Sequence, residues 1–208
     1  MKKYPSTIKK FANGYLKDHY NQAERKEVWE KTLALYEKFI RETPDIGGKK
    51  NFMASNLDMA IAFFALYEAT GRALTKEEFS ERVSKLFPGP IPIYSDIVNL
   101  NHKLACYFMN RMYSKYEKLV AEKKANGEWA NTWGFEMNPR GRKEGVAFDL
   151  IGCPLVDFAK KHGYMEIMPC MCEIDYQLAA LMHAKLYRKH TICEGHERCD
   201  YWYVGDRS

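Results

Sequence analysis

The sequence lacks an apolar run long enough to span a bilayer. Its longest apolar stretch, around residues 59–67, falls well short of the roughly 20 residues a membrane helix needs. The opening residues, MKKYPSTIKKFANGYL, carry no apolar segment of the kind that marks a signal peptide. These two absences predict a cytoplasmic protein without membrane contact. Internal repeats and low-complexity linkers are also missing. No basic run is interleaved with aromatics and no nucleic-acid motif occurs, so the formal net charge of +5 reads as solvated surface or as attraction for a small anion. Nucleic acid is not an expected partner. Nor does either half of the cysteine pattern read Cys-x-x-Cys, which sets the chain apart from a standard zinc ribbon.

What is present is core-forming material. The chain has 208 residues, 46% of them apolar and 28% charged. That length and balance predict one globular domain over 1–208. Eleven Phe, 14 Tyr, 10 Met and 4 Trp can fill its core. Five of the six cysteines fall between 153 and 199. In a reducing compartment they are expected as free thiols, so their clustering asks for a chemical reason.

Helical spacing dominates residues 1–127. Helices are predicted over 5–20 and 22–42, the second with Val28, Trp29, Thr32, Leu33, Tyr36, Phe39 and Ile40 on one stripe. Thr43-Pro44 ends it, because the residue before proline disfavours the helical region. After a glycine loop at 45–51, a helix over 52–70 closes at Gly71. Thr75-Lys76-Glu77-Glu78 is a capping box, stapled by Leu74 and Phe79, and that helix stops before Pro88-Gly89-Pro90. A long helix over 95–125 follows, with Leu100, Leu104, Phe108, Met112, Tyr116 and Leu119 expected inward.

After 127 the texture changes. Strands are expected over 129–137 and 145–151 around a turn at 138–141. Cys153-Pro154 opens a short helix that ends at Gly163. A helix over 173–184 and strands over 186–193 and 199–204 complete the chain. A helical half packed on a small antiparallel sheet from the C-terminal half is an α+β fold, with 128–208 carrying the site.

The C-terminal elements also form an ordered set: Met168-Pro169-Cys170-Met171-Cys172-Glu173-Ile174-Asp175-Tyr176, then Lys185-Leu186-Tyr187-Arg188-Lys189-His190-Thr191, then Glu194-Gly195 and Cys199-Asp200-Tyr201-Trp202-Tyr203. Upstream stand Phe148…Cys153 and Gly47-Gly48-x-x-Asn51. This set resembles the L-2-amino-thiazoline-4-carboxylic acid hydrolase family over about residues 45–205. His190 and the extra cysteines 170 and 193 depart from the family pattern. The resemblance implies an enzyme that hydrolyses a C–N bond in a small cyclic amidine. Its substrate would be carboxylated, and no metal or cofactor is implied.

Ring opening at an amidine carbon needs a nucleophile, a base and groups that stabilise a tetrahedral centre. Cys172, just ahead of a predicted helix, is a candidate nucleophile, since backbone N–H groups there favour a thiolate. Asp175, one turn on, is the candidate base or amidinium partner. Cys199 is a second nucleophile candidate. Arg188 is placed to clamp a carboxylate bidentately, or to be a solvated strand arginine. Thr191 and Gly195 either shape a hairpin or meet substrate. Asn51, after Gly48, either caps its loop or donates to substrate.

Each cysteine has a plainer reading as core, because cysteine is among the most buried residue types. Two other functions stay open at this level. One is a non-catalytic binding protein of the same fold. The other is an interaction module stabilised by zinc on Cys170, Cys172, Cys193, His196 and Cys199. An oligomer is compatible with all three.

Overall fold

The structure is a computed structural model that describes residues 3–86 and 98–207. Helices come first: α1 (Ser6–His19), α2 (Gln22–Glu42), α3 (Ala54–Ala69), α4 (Lys76–Leu86) and α5 (Lys103–Ala125). Then follow β1 (Gly134–Met137), β2 (Val146–Ile151), α6 (Pro154–His162), α7 (Met168–Leu181), β3 (Ala184–Tyr187) and β4 (Arg198–Gly205). The strands form one antiparallel sheet in the order β1-β2-β4-β3. Every one of its residues lies after 127, so the α+β organisation is as the texture change indicates.

Local chemistry accounts for the helix ends. Asn21 caps α2 by accepting from the backbone N–H groups of Ala23 and Glu24, while Glu24 reaches back to the Asn21 N–H. Thr75 and Glu78 do the same at α4, with Leu74 and Phe79 buried behind them. Pro154 occupies the first turn of α6, and Gly163 ends it with φ +71°. The stop expected at Pro88-Gly89-Pro90 lies outside the described residues.

Helix α3 is buried almost all round, from Leu57 through Ala60, Ile61, Phe63, Phe64 and Leu66. A helix that is apolar on every face belongs at the centre of a layer. Helices α1, α2 and α6 pack around it. Sheet and helices meet through aromatic rings: Phe135, Phe148 and Tyr201 stack in turn across β1, β2 and β4, at 4.7 and 4.9 Å between centroids. Phe148 and Tyr201 are direct cross-strand partners.

Three boundaries differ from the sequence expectation. Residues 129–133 form turns, so β1 begins only at Gly134. Residues 98–102 are also turn, tied to the chain's end by Leu100 N–H donating to Met182 and by Asn101 pairing with Asp206. Helix α7 starts at Met168, five residues before the predicted start.

The inward face of α5 differs too. Leu104, Phe108 and Met112 are 65, 59 and 50% exposed, whereas Met109, Tyr116 and Val120 are buried. The cause is geometric. Residues four apart on an α-helix drift about 40° per step, so the row 104–108–112–116 winds round the helix and only its end meets the sheet. The row 109–113–116–120 alternates steps of four and three and holds its face.

Candidate active site

Strand β4 supplies the floor of the site. Cys199, Tyr201 and Tyr203 alternate with more exposed residues and are all buried on one face. Helix α7 packs beside β3 and against the short 3₁₀ turn Ile192–Glu194, which links β3 to β4. Those neighbours bring Asp175 over Tyr201 and Cys172 toward Cys193.

The centre of the arrangement is Arg188. Its side chain is 3% exposed. One Nη donates to Asp175 Oδ2 at 2.6 Å and to the Tyr201 hydroxyl at 3.1 Å. The other donates to the Cys172 carbonyl at 2.8 Å. The guanidinium also lies about as far from the Tyr176 ring as from that of Tyr201, at 5.1 Å each. Its Nε is buried without a hydrogen-bond partner. The solvated-arginine reading is therefore wrong. Three of its five N–H donors are spent on Asp175, Tyr201 and the Cys172 carbonyl. Arg188 holds Asp175 through the first of these contacts.

Asp175 receives both of its bonds on Oδ2, from Arg188 and from the Tyr201 hydroxyl at 2.8 Å. Its side chain is 27% exposed. Burial pushes its carboxyl above the usual carboxylate range, although Arg188 and Tyr201 pull it back. A carboxylate raised in this way takes a proton more readily than a free one. Tyr113 of α5 faces the same carboxylate, and burial pushes its phenol up to about 12.

Four thiols gather beside this pair. Cys172 and Cys193 interact directly, and Cys199 lies within electrostatic reach of both Cys193 and Cys153. None of the six cysteines is joined in a disulfide. The thiols are not equivalent. Cys172 and Cys193 are electrostatically coupled to each other, and burial raises the Cys172 thiol. Burial likewise raises Cys199, whose sulfur accepts the Ile192 N–H at 3.2 Å. Cys193 is half-buried in the turn beside Cys172.

The expected origin of a Cys172 thiolate fails as a consequence of the early start of α7. Cys172 sits a full turn inside the helix, away from the free N–H groups of its first turn. The same shift separates Cys170 from Cys172. Residues two apart on a helix point about 200° from each other, and Cys170 is buried toward Lys76 and Glu77 of α4. Cys170-x-Cys172 therefore does not form one metal bite. Among the described residues no group of three or more His, Cys, Asp or Glu is arranged to hold a metal.

The structure places the remaining predicted positions as follows. Thr191 caps the 3₁₀ turn, accepting from the Glu194 N–H and donating to the Glu194 carboxylate at 2.8 Å. Gly195 ends that turn at φ +93°. Together they replace the end of the predicted 186–193 strand and fix Cys193. Asn51 is 2% exposed and fully engaged. It donates to Ile46 O and Thr132 Oγ1, and accepts from the Tyr116 hydroxyl and the Met53 N–H. No group is left for substrate. Gly48 lies away from Asp175, lining a cavity of about 220 Å³ with Thr43, Asp45 and Asp58.

Sequence reasoning named Cys193 only as a candidate zinc ligand and did not name Tyr201 as a site residue. A signal for Tyr201 was available, since it shares the strand face of Cys199. Cys193 was read as a departure from the family pattern and as a candidate zinc ligand, and nothing in its spacing fixes which elements it packs against.

Among the described residues no helix is long and apolar enough to cross a membrane. Neither the curated proteins nor the solved structures contain a match. A family model described as L-2-amino-thiazoline-4-carboxylic acid hydrolase matches residues 55–203 and spans α3 through most of β4, with the whole Asp175–Arg188–Tyr201 network inside it. The chain belongs to the L-2-amino-thiazoline-4-carboxylic acid hydrolase family.

Proposed function

We propose that the chain hydrolyses a C–N bond in a small, carboxylated cyclic amidine of the thiazoline type. The observation that carries this reading is the Asp175 carboxylate, held on one oxygen by Arg188 and Tyr201, partly open to solvent, and flanked by thiols. Asp175 Oδ1, which neither partner takes, accepts the proton of the water whose oxygen ends on the amidine carbon. Arg188 and Tyr201 fix the direction of that oxygen and keep the base from drifting. The guanidinium, together with Lys160 near Cys193, gives the site a positive local field suited to an anionic substrate.

The test is a panel of 2-aminothiazoline carboxylates and related cyclic amidines assayed for ring opening, with wild type against Asp175→Asn. Wild type should open at least one thiazoline. The variant should lose about a hundredfold or more, the scale for removing a positioned general base. If wild type turns over none of the panel, the substrate reading fails. If Asp175→Asn keeps full activity, the base assignment fails.

A further inference from the structure

We propose that the groove between α1 and α2 binds a small aromatic anion, at a site separate from Asp175 and independent of the hydrolytic reading.

The groove has a volume of about 510 Å³, within the range of small-molecule sites, roughly 300–1,000 Å³. Leu16 and Lys17 line it from α1, and Arg25, Lys26 and Trp29 line it from α2. Helical spacing puts them there. Within each helix the lining positions recur at steps of three and four, so each set shares one face. The short turn between His19 and Gln22 brings the two faces together.

The lining supplies both halves of the recognition. Its charged side chains, Lys17, Arg25 and Lys26, are all cations. Arg25 donates through Nε to the Asn21 carbonyl at 3.4 Å, which leaves its terminal N–H fork for a ligand. Nearby acids are engaged elsewhere: Asp18 meets Arg82 at 2.9 Å, and Glu24 accepts the Asn21 N–H at 2.8 Å. Glu30 comes only to 3.9 Å from Lys26, with both side chains well exposed, and a pair of that kind holds its lysine weakly. The apolar half is Leu16, which is buried, and the indole of Trp29. Tyr4 fixes that indole by an edge contact at 5.1 Å, and Lys9 Nζ lies 5.8 Å from its centroid, adding a fourth positive charge. A flat ring fits against the indole and Leu16 while its acid group meets the cations. Helices α1 and α2 both precede residue 55, where the family match begins, so the groove is built outside the segment that carries the Asp175 network.

The test is calorimetric titration of the full chain with naphthalene-2-carboxylate, with the neutral naphthalene-2-carboxamide and with inorganic phosphate. The carboxylate should bind saturably, one per chain. Its affinity should fall as salt rises from about 0.01 to about 0.15 M, where the screening length shrinks from about 30 to about 8 Å. The amide and phosphate should each bind at least about tenfold more weakly, since each carries one half of the recognition. Lys17→Gln combined with Lys26→Gln changes two exposed positions and should weaken the carboxylate about tenfold or more, the scale of a lost charged hydrogen bond. Trp29→Leu should weaken it about two- to tenfold, as loss of a ring stack does; the lysine variant carries the test even if Trp29→Leu fails to fold. Asp175→Asn should bind the carboxylate as wild type does. Absence of saturable binding, amide or phosphate binding as tight as the carboxylate, or unchanged affinity in the lysine variant overturns the site. A loss of affinity in Asp175→Asn would place the ligand at Asp175 and overturn it too.

Discussion

Replacing Arg188 with Met removes the one cation that holds Asp175. The side chain is 3% exposed and makes three hydrogen bonds, at 2.6, 2.8 and 3.1 Å. Deleting one partner of a buried ion pair typically costs about 3–5 kcal/mol, because the other charge is left uncompensated. Here Asp175 is 27% exposed and its carboxyl can protonate. Those features place the expected loss near the lower bound, about 3 kcal/mol. The sign of the pH dependence follows from the raised carboxyl. Protonated Asp175 suits the fold better than ionised Asp175. Its contribution is therefore fully present below the unfolded carboxylate value of about 4 and is lost as pH rises through the higher folded value. Without Arg188 the folded value rises further, so the variant should lose more stability at pH 8 than at pH 5. Urea denaturation at the two pH values measures this. The double variant Arg188→Met, Asp175→Leu removes both charges and should recover at least half of the loss, since an apolar pair of similar volume often replaces a buried ion pair without penalty. A single-variant loss below about 1 kcal/mol, the scale of an exposed pair, or one that does not vary with pH, would refute this account of the site.

Other outcomes follow from the same structure. Asn51→Ala should destabilise by about 2–4 kcal/mol, because it strands the Tyr116 hydroxyl, Thr132 and the Ile46 carbonyl in the interior; equilibrium unfolding checks it, and the KM of any residual activity should stay unchanged. Gly145→Ala puts a Cβ 2.1 Å from the Tyr203 carbonyl at a φ of +73°, so soluble yield and melting temperature should both fall. Phe108→Ser should shift stability by less than about 0.5 kcal/mol, as exposed positions do, because the ring is 59% exposed; a loss of core-like size in a chemical melt would show that this face is covered.

Much of the fold could be read from the residues because its signals are local. The Thr75–Glu78 capping box, Pro154 at the start of α6, Gly163 at its end and the period of two through Cys199, Tyr201 and Tyr203 each depend on neighbours within a few positions. Family membership was legible for a similar reason: it rests on an ordered set of short motifs. The start of α7 was misplaced because Pro169 suits the first turn of a helix as well as a loop before one. That single shift moved Cys172 off the helix end and turned Cys170 away from it.

The sequence by itself determined the helical N-terminal half, the antiparallel C-terminal sheet and the short list of chemical groups. It also placed Cys172, Asp175, Arg188 and Cys199 on that list. Only the tertiary structure decided what each group meets. Arg188 and Asp175 are 13 residues apart in the chain and Tyr201 is 13 beyond Arg188, so neither pairing follows from a helical or strand period. The ionisation of a thiol is likewise set by burial and by charges brought in from other elements. Cys193 is brought to α7 because the 3₁₀ turn packs against that helix, and that convergence arises from packing between elements rather than from spacing within any one of them.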